Sequence, residues 1–208
     1  MDLFAPPNLP GVGMGDLSSV GGFGGLVGVA ATSGALIAAR IPGLLVFLAS
    51  AVLVLLANDE QWGGTPIGSG IALALVAVLS LVHAVVGQRG AQLGAVLLGG
   101  ASVGYAWAEW DEGAFSGVDT EAIAGIVVGV LAAAVAGWAA ERFVGGSIRA
   151  GATALIVGSV VAIVAFALNT ASFYVPFVGF VVPPLAAFVG MRLGRRDREK
   201  YKGLRILS

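Results

Sequence analysis

Seven stretches of this chain, at 20–39, 41–57, 68–86, 91–108, 122–140, 150–168 and 171–191, contain no Asp, Glu, Lys or Arg. Each is close to the roughly 20 apolar residues that an α-helix needs to cross the ~30 Å hydrocarbon core of a bilayer. In that core backbone N–H and C=O groups must be satisfied without water, which favours helices for such runs. The sequence therefore predicts an all-α, polytopic transmembrane bundle of seven spans. Residues 1–19 form a short tail before it, and 192–208 a basic tail after it. Only 11% of the residues are charged, against roughly a quarter in a soluble domain. Too few charges remain to cover a water-soluble globule.

The charges that exist are sorted by side. Arg40, Arg89, Arg142 and Arg149 fall in the connections after spans one, three and five, and the other seven bases follow span seven. Nine acids fall in the remaining connections and the first tail, leaving Glu141, Asp197 and Glu199 with the bases. One side thus sums to +8 and the other to −9, which together give the formal −1. Short cytoplasmic loops carry the excess of Lys and Arg. The N-terminus is expected outside and the C-terminus in the cytoplasm. Arg40, Arg89, Arg149, Arg195 and Arg196 would anchor this topology and grip anionic lipid headgroups. Span one is the doubtful member, because its glycines add little insertion energy; without it six spans remain and the first tail lies inside. Trp62, Trp107 and Trp110 fall at outer span ends and Trp138 near an inner one, where aromatic belts form. Nine arginines against two lysines, amid Gly, Ala and Val, point to the cell membrane of a prokaryote with a GC-rich genome.

Connections are marked by helix breakers. The sequence predicts turns at Arg40-Ile41-Pro42-Gly43, at Gly87-Gln88-Arg89-Gly90, and over 141–149 around Gly145-Gly146. The three hairpins look alike: each turns near an arginine and returns through a Gly- and Ala-rich helix. Glu121-Ala-Ile-Ala-Gly125 opens the third and Gly68-Ser-Gly70-Ile-Ala the second. Three related hairpins plus a lone seventh helix and a basic tail resemble the seven-span family typified by transmembrane protein 198, over about 20–205 and best from Ser69 to Gly104. The resemblance implies the same seven-span architecture and a membrane-scaffolding role, and carries no catalytic motif.

Buried ionisable groups usually mark proton relays, ion paths and intramembrane catalysis, because a charge in lipid is costly. The spans hold no Asp or Glu for a paired-carboxylate protease or pump and no Lys for a Schiff base. The chain has no Cys, and its lone His offers no metal cage. No nucleophile–base pair can be named, so neither an enzyme nor a cofactor or metal site is expected. His83 could relay a proton or gate; the blander alternative is that it snorkels or bonds a backbone carbonyl. Gly21-x3-Gly25, Gly24-x3-Gly28, Gly100-x3-Gly104 and Gly125-x3-Gly129 put small residues on one helix face, where backbones can approach closely. Such faces serve internal packing or docking of another membrane protein or a second copy. In span seven, Pro183 and Pro184 should kink or open the helix. With Tyr174 and His83 they are the candidates for a gate or site, as transporters build sites at broken helices. The basic tail should hold the protein to membrane lipids, and nothing points to nucleic acid. Two functions follow: a non-catalytic scaffold, assembly subunit or structural component using its Gly-rich faces, or a small channel or facilitator for an uncharged or weakly charged solute.

Overall fold

The computed structural model describes residues 20–57, 70–108 and 119–202. These residues are helical throughout apart from short turns. Seven helices follow in order: α1 (Val20–Ala38), α2 (Arg40–Ala57), α3 (Gly70–Val86), α4 (Arg89–Ala108), α5 (Thr120–Arg149), α6 (Ala154–Tyr174) and α7 (Phe177–Lys202). The tail over 1–19, most of the acidic connections, Trp62 and Trp110 lie outside the described residues.

The Gly-rich first segment is the hub. Fourteen residues of α1 are buried, and it packs against α2, α4, α5, α6 and α7. Around it the other helices follow one another as α2, α6, α7, α5, α4 and α3, with α3 closing the circle between α4 and α2. Two core clusters run along the hub. One joins Leu36 and Ile37 to Phe47, Val76, Val96 and Ala133; the other joins Leu26 and Ala30 to Val103, Trp107, Ala136 and Val182. The three hairpins are therefore not placed equivalently, since α1 is central and α3 peripheral.

Polar groups inside are mostly satisfied locally. Thr32 Oγ1 donates to the Gly28 and Val29 carbonyls at 2.9 and 3.0 Å, and Ser172 Oγ to Leu168 O at 2.8 Å. Gln92, buried on α4, reaches across to Ile37 O on α1 at 3.2 Å. Outside, apolar side chains face the surroundings. On α3 these are Ile71, Leu75, Val78, Leu81 and Val85, and α6 presents Leu155, Ile156, Val160, Ile163 and Val164. Such a surface is rare on a soluble monomer and is compatible with a membrane protein. Among the described residues, four helices are long and apolar enough to cross a bilayer: Val20–Ala38, Thr120–Arg149, Ala154–Tyr174 and the Phe177–Arg195 part of α7. The doubtful first segment is among them. The apolar parts of α2 and α3, Arg40–Leu53 and Ile71–Val86, are shorter.

The later helices differ from the sequence expectation. α5 does not end at 140; it continues through Gly145 and Gly146 to Arg149, about 45 Å at 1.5 Å per residue. A helix tolerates glycine at a cost of about 1 kcal/mol. The chain turns instead at Gly151, whose φ of +95° suits glycine, and Ala152 N closes the end onto Ser147 O at 3.1 Å. Residues 171–174 belong to α6, so Tyr174 ends that helix and does not start the next. Pro176 disfavours helical backbone at the residue before it, and Val175 takes φ −133°, ψ 82°. Finally, α7 runs without interruption through Pro183 and Pro184. The helix is therefore not opened at the tandem prolines as expected; the break nearby is the α6–α7 turn at Val175-Pro176.

Candidate functional site

The glycine faces meet one another inside the chain. A Cβ on Gly100 would stand 2.6 Å from Gly129 O and from the Ala133 Cβ, and one on Gly125 would stand 2.5 Å from Gly104 O. Gly104 and Gly129 are blocked in the same way by Gly125 and Gly100. The backbones of α4 and α5 thus touch where side chains would normally separate them. A second crossing sets Gly24 of α1 against Pro176, just before α7, and Gly28 against Gly179 of α7, with Phe23 stacked on Phe180 at 6.0 Å between centroids. Gly25 lies under the Trp107 ring, and Gly21 is half-buried one turn earlier.

Trp107 is not at a lipid interface, as the belt pattern predicted, but buried, with its ring 5.6 Å from Phe173. Gly25 offers no side chain, so the indole fits against α1. Its Nε1 has no partner among the described residues. With Ser33, Ser50, Phe47 and Asn169 it lines a cavity of about 80 Å³ between α1, α2, α4 and α6.

A second, larger space gathers basic residues. At the end of the bundle where α1 turns into α2, α3 into α4 and α5 into α6, an open depression of about 1010 Å³ is lined by Arg40, Arg89, Arg142 and Arg149, with His83 and Glu141. Among the described residues, four arginines stand against one glutamate. Gly194 of α7 also borders it, so three separate hairpin turns and the last helix share this end. Sequence charge alone groups Arg40, Arg89 and Arg149 on one side; the fold puts them around one space.

Local structure positions each of them. Arg40 starts α2 immediately after the α1 turn, with φ 68°, and is the non-glycine residue with positive φ among those described. The tight hairpin also needs Gly43, where a Cβ would run into Leu36 O. Pro42, in the first turn of α2, needs no helical hydrogen bond there. Arg89 starts α4 after Gly87, at φ 69°. His83 Nδ1 donates to Gln88 O at 3.0 Å, which fixes the proton on that nitrogen and ties the end of α3 to the turn. The backbone bond expected as one alternative for His83 is present. Arg149 Nε donates to Gly145 O at 3.1 Å. Arg142 lies over the Trp138 ring at 4.3 Å, and its Nη1 reaches Gly190 O of α7 at 3.4 Å. Gly190 leaves room for the Trp138 ring, and Gly194 for the guanidinium. Sequence reasoning missed Arg142 and Trp138 as a positioned pair, although their i, i+4 spacing was the available signal. Arg195 is exposed outside the lining, and the side chain of Arg196 lies outside the described ones. Tyr174 is exposed at the end of α6, and Pro183 and Pro184 lie within α7; neither they nor Tyr174 share the depression with His83. The chain matches no protein-family model, no curated protein and no solved structure.

Proposed function

We propose that all seven helices cross the cell membrane of a prokaryote, with the N-terminus outside and the basic end in the cytoplasm. In this reading the chain is a non-catalytic membrane component, a scaffold or assembly subunit, as the transmembrane protein 198 resemblance also implies. The observation that carries it is the position of α1. A buried helix fills the bundle axis, where a central conduit would otherwise run. Because the glycine faces are occupied by one another, contact with a partner membrane protein or a second copy falls to the outer apolar faces and the basic end. The channel or facilitator reading keeps one foothold, the cavity beside α1 at Trp107. A path there would have to run past Ser33 and Asn169.

Two measurements test the proposal together. The chain has no cysteine, so single cysteines at Ser18 and Gln88 report topology cleanly in whole cells. Labelling of the first from outside, with protection of the second, is the expected result; the opposite pattern sinks the orientation. Gentle extraction followed by native mass determination should recover a stoichiometric companion or a defined oligomer. A lone monomer that supports solute flux after reconstitution would replace the scaffold with the facilitator.

A further inference from the structure

We infer that the basic depression is a binding site for the phosphate of an anionic phospholipid, held by Arg40, Arg89, Arg142 and Arg149. Guanidinium groups match phosphate oxygens with paired donors, and among the described residues the Lys or Arg side chains lining this space are all arginines. Among the described residues Glu141 is the acid that lines it. The six helix ends around it do not supply the attraction. N-termini of α2, α4 and α6 are offset by the C-termini of α1, α3 and α5, so the side chains carry the charge.

Shape and rim select the occupant. At about 30 Å³ per liquid water, a depression of about 1010 Å³ has room for on the order of thirty waters, far more than a free phosphate fills. Ile41 and Leu155, 52% and 68% exposed, belong to the same lining, at the first turns of α2 and α6. Arginines beside exposed apolar side chains suit an amphiphile, with its phosphate on the guanidinium groups and its acylglycerol on the rim. Basic pockets between helix ends take anionic headgroups in this way.

Arg40 adds a structural argument. It occupies a left-handed backbone position at φ 68°, where glycine would sit without strain. The strain is kept at the residue whose side chain the site needs, a pattern common at functional positions. Arg142 is pre-positioned by the Trp138 ring and the Gly190 carbonyl, so it loses little freedom on binding.

The lipid's access rests on the membrane reading above, but binding can be measured in detergent independently of topology. The purified full-length protein is titrated with phosphatidylglycerol, phosphatidylcholine and inorganic phosphate, and retained ligand is counted by native mass spectrometry. Phosphatidylglycerol should bind at least about tenfold more tightly than phosphatidylcholine, which carries a phosphate but no net charge. Each arginine removed should weaken it about fivefold: Arg40→Gly once, Arg40→Gly with Arg89→Gln about 25-fold. Arg192→Gln, in the basic tail outside the lining, should cost much less than either loss. Arg40→Gly keeps the assay decisive, because it relieves backbone strain and should raise thermal stability while weakening binding. Equal binding of the two lipids, or an equal loss in Arg192→Gln, would overturn the site in favour of a diffuse surface field. Saturation by millimolar inorganic phosphate without discrimination between lipids would overturn the lipid and leave a free-phosphate site.

Discussion

The α4–α5 crossing allows one substitution to be judged against its own control on the same helix. In Gly104→Ala the new Cβ meets the carbonyl oxygen of Gly125, stands 2.6 Å from its carbonyl carbon and 3.1 Å from Ile126 Cα. Carbon atoms pack best at about 3.5–4.0 Å, so α4 and α5 must part by roughly 1 Å. The obstacle is backbone and cannot rotate aside. An opening of that size forfeits about a quarter to a half of each dispersion well across the contact. Gly100 and Gly129, one turn away, open with it. Overpacking costs about 1–3 kcal/mol, and a backbone obstacle places this case near the top. Alanine returns about 1 kcal/mol of helix propensity over glycine, leaving a net loss of about 2 kcal/mol. Gly94→Ala, ten residues earlier, puts its Cβ 3.6 Å from Leu79 Cδ1, an ordinary contact. It should keep the propensity gain and stabilise by up to about 1 kcal/mol. The same chemical change on one helix thus differs by about 3 kcal/mol in effect. Unfolding in mixed micelles with rising dodecyl sulfate fraction, followed by tryptophan fluorescence, measures both. Equal shifts, or a neutral Gly104→Ala, would refute the reasoning that the two backbones are in contact there.

The end of α5 can be located by a glycine pair. Gly146→Ala, with open space around the new methyl, should stabilise by up to about 1 kcal/mol, whereas Gly151→Ala, at φ +95°, should destabilise by about 1 kcal/mol or more; a reversed order in the same unfolding assay would move the turn back to 145–146. Pro183→Ala with Pro184→Ala gives back the amide donors that face Gly179 O and Phe180 O. Stability should rise, by up to about 3 kcal/mol, and a fall would show that α7 needs these prolines to seat Gly179 on α1. His83→Ala removes the Nδ1 bond to Gln88 O and should cost about 1 kcal/mol, read as a lowered thermal midpoint; no change would make that bond incidental.

Much of the helix order is legible in the sequence, because long apolar runs and breakers act locally. α1 to α4 begin and end within two residues of the predicted spans. The errors come where two breakers compete. Gly145-Gly146 and Gly151 both look like helix ends, and only backbone conformation tells them apart: a helical glycine loses propensity, while a left-handed one is needed. Residues 171–174 and Pro176 pose the same choice, decided by the restriction proline places on Val175. The site was legible in part. Charge sorting places Arg40, Arg89 and Arg149 at one end, but nothing in their spacing shows that they line one depression. The i, i+4 spacing of Trp138 and Arg142 was there to read, but it carries meaning only once α5 is known to continue past 140. Trp107 was misplaced because belt position and glycine complement give the same one-dimensional pattern.

The property that makes the first segment look like a poor span is also what allows it to be the hub. A helix facing lipid gains from large apolar side chains, and glycine contributes little there. A helix ringed by others meets protein instead, and 72% of the α1 window is buried. In lipid the hydrophobic effect does not press helices together, so close backbone contact has to supply the association. Gly24 and Gly28 admit α7, Gly25 admits the Trp107 ring, and Gly34 admits the Ala133 backbone of α5. Larger residues at these four positions would add insertion energy while pushing three neighbours outward. Weak apolarity and central position are therefore one design. It follows that Gly28→Leu should make α1 a stronger insertion signal and the bundle a less stable one, an opposition that a helix lying at the periphery would not produce.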